Sequence, residues 1–320
     1  MHLTIAICTY RRHEPLRQTL TSLAACIVPQ DVQWDVLVVD NAGDAQVRQL
    51  VEGFADRLPV RYEVEPTTGT SHARNHAVRV CEAAGTPVVL FTDDDVTFEE
   101  RWLVTMANTI REHGDCDFWG GRVEPIWPSD APPPAWFDQE RCPMLGDTIV
   151  QYRRGEQPRA WDGERDPPFY TANLALRVKA VAAAGYFDTT VGHRGAVRMG
   201  MEDSLMVRAI AAAGGSGGRG WYAADAVVHH PVPIERLSRK YARQFAWRQG
   251  WLSVHSLRRA SPRLPRWLYR VSLGDMVRGA AQWLGGTLTL RPAVAFAGQF
   301  QALFSLSKLW HALCKPKARS

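Results

Sequence analysis

Between residues 3 and 125 the chain alternates two kinds of run. LTIAICTY, WDVLVVD, VRYEVEP and VVLFTDDD are short and rich in Val, Ile and Leu, while the stretches between them space apolar residues as helices do. Strands this apolar must be covered on both faces, and strands separated by helices return in the same direction. The pattern points to an α/β fold with a mostly parallel central sheet and helices on both faces. Pro15 opens the first helix, with Leu16, Leu20 and Leu23 on one side. SHARNHAVRVCEAAG is expected as a helix capped by Ser71 and stopped by Gly85. FEERWLVTMANTIREHG is expected as a helix with acids in its first turn.

Open sheets of this kind bind ligands at the carboxyl ends of their strands. Those ends are polar here: Thr9-Tyr10, Asp40-Asn41 and Asp93-Asp94-Asp95. The last is the most demanding, because adjacent carboxylates behind an apolar run raise one another's pKa unless a cation sits among them. A divalent metal is the natural counter-charge.

From Ile126 the pattern changes. IWPSDAPPPAWF is irregular and Pro-rich, FYTANLALR reads as a strand, and VKAVAAAG as a helix stopped by Gly185. Gly192 to Gly200 reads as a loop leading into EDSLMVRAIAAAG, a helix with acids at its positive end and GGSGG behind it. GWYAADAVVHH is a final strand. With 320 residues, 46% hydrophobic and 22% charged, the chain is long enough and ordinary enough for one large or two modest folded domains. The six cysteines lack CxxC spacing, which argues against a zinc module and a disulfide framework and fits a reducing cytoplasm. The opening MHLTIAICTYRR carries its positive charges behind a short apolar run, so no signal peptide is expected. No window holds the roughly 18 apolar residues of a spanning helix.

CTYRR, VVDN, HARNHA, FTDDDV and MEDSLMVRA occur in that order over residues 1 to 233. Together they resemble a family 2 glycosyltransferase of GT-A fold. The resemblance implies transfer of one sugar from a nucleotide-sugar donor to a hydroxyl, with inversion, and Mg2+ or Mn2+ as cofactor. It places Thr9, Tyr10, Asp40, Arg74, Asp93 and Asp94 at the nucleotide, with Tyr10 stacking on the base. Asp95, supported by Asp93 and by His230, would bind the metal. Asp203 would be the general base, with Glu202 beside it as the second candidate.

The chemistry suits that division of labour. Charge grows on the departing diphosphate, which a hard cation stabilises, while a separate carboxylate accepts the acceptor's proton. Residues 1–125 are then the nucleotide-sugar half, 126–233 the acceptor-binding and catalytic half, and 234–320 a basic helical extension. The loop before Glu202 would suit a lid. Trp119, Trp127 and Trp136 are candidate acceptor platforms or core residues, and WGG at Trp119 to Gly121 permits a close approach or marks a bend. Only one of His229 and His230 can face the site. His76 stands where glycine is common in the family, and YARQFAWRQGW fits poorly with processive synthesis, so single transfer is preferred. DDDVT also matches the nucleophile motif of Mg-dependent phosphohydrolases, although that motif closes the first strand of its fold. A catalytically silent, membrane-associated scaffold is the remaining alternative.

Net charge is +5, unevenly distributed. Residues 234–320 hold 16 Lys and Arg against two acids, leaving 22 basic and 31 acidic residues elsewhere. Trp267, Val271, Gly274, Val277, Ala281, Leu284 and Leu288 share helical spacing, as do Phe296, Phe300, Leu303, Leu306, Trp310 and Leu313. Arg266, Arg270 and Arg278 attend the first stripe, and Lys308, Lys315 and Lys317 the second. Basic, Trp-bearing amphipathic helices suit an anionic membrane surface, placing the enzyme on the inner face beside a lipid-linked or cell-surface glycan precursor. Packing against the catalytic domain or a second copy is the competing reading. No nucleic-acid motif is present.

Overall fold

The computed structural model describes residues 1–129, 131–192, 200–213, 218–261 and 263–314. The first part follows the alternation: β1 (His2–Thr9), α1 (His13–Leu23), β2 (Gln33–Asp40), α2 (Ala45–Glu52), β3 (Val60–Val64), α3 (Thr70–Ala83), β4 (Val88–Asp93), β5 (Thr97–Phe98), α4 (Trp102–Glu112) and β6 (Phe118–Ile126). There follow α5 (Met144–Thr148), β7 (Arg159–Ala160), β8 (Leu174–Arg177), α6 (Val178–Ala183), α7 (Glu202–Ala213), β9 (Gly220–Pro231), α8 (Arg239–Ala260), α9 (Arg266–Leu288) and α10 (Pro292–Leu313).

The sheet runs β3-β2-β1-β4-β8-β6-β9-β5, with β7 also on β9. β3, β2, β1 and β4 are mutually parallel. β8 is antiparallel to both β4 and β6, and β5 and β7 are antiparallel to β9. The expected parallel arrangement therefore holds for the first four strands, and the later ones make the sheet mixed. Leu3, Ile5, Ala6 and Ile7 of β1 are wholly buried on both faces, and Leu16, Leu20 and Leu23 of α1 pack inward as their spacing dictates.

Gly85 and Gly185 end α3 and α6 in the same way. Both have positive φ, and the N–H of the next residue reaches back to Cys81 and Val181 respectively. That is the αL stop for which glycine is the least strained residue.

Three local expectations are corrected. α3 is capped at Gly69, not Ser71, because the Gly69 N–H is held by Asn41 and the Ser71 hydroxyl donates to Val191 O at 3.0 Å. α4 begins at Trp102, so Glu99 and Glu100 precede it rather than occupy its first turn. Pairing of Thr97 and Phe98 with β9 keeps the chain extended up to that point. FYTANLALR forms a strand only over Leu174–Arg177, after a 3-10 turn at Thr171–Asn173.

The WGG segment lies inside β6, and Trp119 is wholly buried. A Cβ on Gly120 would fall 1.9 Å from the Phe169 ring, and one on Gly121 would fall 2.1 Å from Asn173 Nδ2. The close approach is made by the protein's own side chains, not by an acceptor.

The chain divides into two units, Met1–Pro125 with Val150–Pro231, and Ile126–Ile149 with Val232–Ser320. The first contains the sheet. In the second, the Pro-rich segment joins the C-terminal helices: Trp136 packs on Phe296 at 4.3 Å between ring centres, and Trp127 lies edge-on to Phe137. These tryptophans are packing residues, with Trp136 buried beside Leu145, Ala242 and Phe300. No helix among the described residues is long and apolar enough to cross a membrane. The expected lid falls largely on residues 193–199, and the GGSGG stop on residues 214–217; both lie outside the described residues.

Candidate active site

Strand register assembles the first part of the site. Thr9 pairs with Asp40 and Cys8 with Asp93 across parallel strands, so the polar strand ends share one rim. Their side chains then take different tasks. Asp40 is wholly buried, and its oxygens accept from the N–H groups of Ala42 and Asp44 and from the Tyr62 hydroxyl, at 2.6 to 2.8 Å. Asp94 is also buried and accepts from Thr9 Oγ1 at 2.6 Å and Arg12 Nη1 at 2.7 Å. Thr9, Asp40 and Asp94 thus tie the rim together. Tyr10 is exposed, with the Arg11 guanidinium over its ring.

Asp93 and Asp95 meet His230, with one ligand atom from each lying within 4.8 Å of the others. β9 supplies the histidine. Because His229 pairs with Thr97 of β5 and points at Glu99, the next residue turns to the opposite side, where His230 Nε2 lies 3.5 Å from Asp95 Oδ1. His230 is buried, and its Nδ1 has no hydrogen-bond partner among the described residues. Burial pushes the Asp93 carboxyl above its ordinary range, reinforced by Asp95 and Asp203 and opposed by Arg74 and His230. Burial likewise pushes Asp94 up to about 7 against the pull of Arg12. The Cys8 thiol nearby is pushed up to about 12 by burial, which makes it inert as a nucleophile.

The packed face of α3 carries Arg74 inward. Its Nη1 donates to Glu202 Oε1 at 2.6 Å, and its Nη2 lies 3.7 Å from Asp93 Oδ1. Arg74 therefore joins the acids of β4 to the start of α7. Beside Glu202, Asp203 accepts from the N–H groups of Ser204 at 2.7 Å and Thr171 at 3.4 Å. Burial, and then the Glu202 charge, push Asp203 up to about 6, against Arg74 and those two N–H groups. A half-buried carboxylate with that pKa can both hold and give up a proton near neutrality.

Arg12 was not among the residues singled out from sequence, although it stands in CTYRR. Its second nitrogen donates to Asp95 Oδ2 at 2.8 Å, so one guanidinium spans two of the three adjacent acids. The signal was the acid cluster itself, which demands a cation and need not take only a metal. Thr171 and its N–H carried no sequence signal. His76 lies between Glu63 and Glu65, at 3.6 and 3.4 Å.

The model of the glycosyl transferase family 2 matches residues 4–181. The succinoglycan biosynthesis protein ExoM of Rhizobium meliloti is 30% identical over 253 residues, covering 78% of this chain and 73% of that protein. The glucosyl-dolichyl phosphate glucuronosyltransferase of Haloferax volcanii is 27% identical over 199 residues, covering 61% and 58%. Among solved structures, the mannosyltransferase PcManGT of Pyrobaculum calidifontis in complex with GDP-Man and Mn2+ superposes with a TM-score of 0.58 at 19% identity, covering 96% of this chain and 87% of that one. The chain belongs to glycosyl transferase family 2 and is a glycosyltransferase of GT-A fold.

Proposed function

We propose that the protein moves a single sugar, with inversion, from a nucleotide-sugar donor to a hydroxyl of a lipid-linked or cell-surface glycan precursor. One observation carries the reading: Arg74 bridges Glu202 and Asp93, so the candidate base Asp203 and the cluster Asp93, Asp95 and His230 belong to one network. Two relatives support it, one a succinoglycan biosynthesis protein and the other a glucosyl-dolichyl phosphate glucuronosyltransferase.

The cluster fits a divalent cation. Two carboxylates and an imidazole are a suitable donor set for Mg2+ or Mn2+, and the buried His230 already turns its Nε2 toward Asp95. Asp93, Asp95 and His230 would hold the ion, which supplies Lewis-acid stabilisation of the departing diphosphate. The chain's own residues do the rest. Asp203 takes the proton of the attacking hydroxyl, and Arg74 holds Glu202 and faces Asp93. Arg12 restrains Asp94 and Asp95. The exposed Tyr10 ring offers a face to the nucleotide base.

The phosphohydrolase alternative is dropped, because the acids close β4 and not the first strand, and the family is that of transferases. The basic excess of residues 234–320 supports peripheral attachment to the inner face of a membrane, where a lipid-linked acceptor would be met. The test is a thermal-shift screen with UDP, GDP, dTDP and CDP, each with and without Mn2+. A ligand at a hundred times its Kd adds about 2.7 kcal/mol of stability. One nucleotide raising Tm only with the metal is the expected result, and no response to any would overturn the donor assignment.

A further inference from the structure

α9 is packed the opposite way from a helix of a water-soluble domain. Its buried residues are Leu268 near the start and then only Ser272, Gly279 and Gly286, while Trp267, Val277, Leu284 and Leu288 face outward with 53%, 59%, 62% and 83% of their surface exposed. The apolar stripe at helical spacing thus lies on the outside. Beyond Leu268, which shares a buried cluster with Val254 and Ala312, α9 meets α10 through close backbone contact. A Cβ on Gly279 would lie 2.7 Å from Ala302 N, one on Gly286 2.4 Å from Ala295 N, and one on Gly298 2.4 Å from Trp283 N. Water favours apolar residues inward and polar residues outward. Small residues between helices with large apolar residues outside is the arrangement of helices whose surroundings are lipid.

We infer that α9 and α10 form a hairpin that seats in the interface of an anionic bilayer, with the outer stripe of α9 immersed among the acyl chains. Two further observations select this occupant. Arg266, Arg270, Arg278 and Arg291 accompany the stripe, and the one acid of these two helices, Asp275, is bound to Arg278. A second copy would bring the same positive charges face to face, whereas anionic headgroups complement them. No described helix is apolar enough to cross, so the hairpin lies in the interface, where tryptophans such as Trp267 and Trp310 are favoured.

The inference deepens the proposed membrane attachment by replacing surface attraction with insertion. It can fail without touching the transferase chemistry, since binding to vesicles and nucleotide stabilisation are read separately. Surface attraction alone is lost in high salt, while an immersed stripe resists it.

The experiment is flotation of the full chain with phosphatidylglycerol/phosphatidylcholine vesicles, at physiological and molar salt, beside Val277→Asp/Leu284→Asp. Both sites are exposed, so the variant should keep its circular dichroism spectrum and its nucleotide-dependent Tm shift. The wild type is expected to float and stay bound through the salt wash, with tryptophan emission quenched by brominated lipid. The double variant is expected to partition roughly tenfold less or worse. Complete release of the wild type by salt, or unchanged flotation of the variant, would overturn insertion. So would a wild-type dimer by light scattering that the double substitution converts to monomer without loss of flotation.

Discussion

Arg74 and Glu202 are 128 positions apart in sequence and meet at 2.6 Å with both side chains almost wholly buried. Neither charge has much water around it, so each depends on the other. Removing one partner of such a pair costs about 3–5 kcal/mol, because the survivor is left charged and unpaired. Glu202→Ala is therefore expected to lower stability by that order in urea unfolding. Glu202→Gln keeps an oxygen for Arg74 and should lose less while retaining turnover. A Gln variant that folds normally but releases no nucleoside diphosphate would transfer the base role from Asp203 to Glu202.

For Asp203 the sign of the pH effect follows from its direction of shift. The base works when ionised, and its carboxyl is raised to about 6. Activity should therefore be present above about 6 and fall as pH drops through that value. Asp203→Asn should lower kcat by about 10²- to 10⁴-fold with donor affinity intact. Measured kcat profiles of both proteins check this; an acid limb that persists unchanged in the residual activity of the Asn variant would assign it elsewhere.

Gly120→Ala tests the reading of WGG as a packing feature. The added methyl would collide with the Phe169 ring, which is itself wholly buried. Overpacking of this kind costs about 1–3 kcal/mol. A lower Tm is expected, and a truncated partner in Gly120→Ala/Phe169→Leu should recover part of it relative to the sum of the single changes. Strict additivity of the two changes would mean that they do not compete for the same space.

What could be read from the sequence was local. Period and composition locate β1, β2 and β4, and Gly85 and Gly185 stop their helices because only local backbone geometry is involved. The polar strand ends were legible for the same reason. Which side chains meet across the fold was not: nothing near Arg74 announces Glu202, and nothing near His230 decides that it rather than His229 faces Asp95. Helical spacing likewise groups Trp267, Val277 and Leu284 on one face without saying whether that face points in or out. The role of Trp136 depended on Phe296, far along the chain, and spacing holds no information about such a partner.

Asp95→Asn is expected to abolish the Mn2+-dependent part of nucleotide binding. Its carboxylate lies with Asp93 and His230 in the cluster that fits the ion. An amide offers one neutral oxygen where a hard cation favours charged ones. Titration of nucleotide with and without Mn2+ measures the difference. Retained metal-dependent affinity would exclude Asp95 from the set of ligands.

Arg12→Ala separates the protein's own counter-charge from the metal's. Its guanidinium donates to Asp94 at 2.7 Å and to Asp95 at 2.8 Å, but is itself nearly half exposed, so the pair is screened. A loss of about 1–2 kcal/mol in stability is expected after that discount. Without Arg12, Asp95 is no longer held toward Asp94, and like charges are left adjacent. Added Mn2+ should then recover more Tm in the variant than in the wild type, because the ion takes over part of the neutralisation. Arg12→Lys, a point charge that cannot grip two carboxylates at once, should fall between the two. Equal Mn2+ responses in all three proteins would show that the guanidinium and the cation serve different acids.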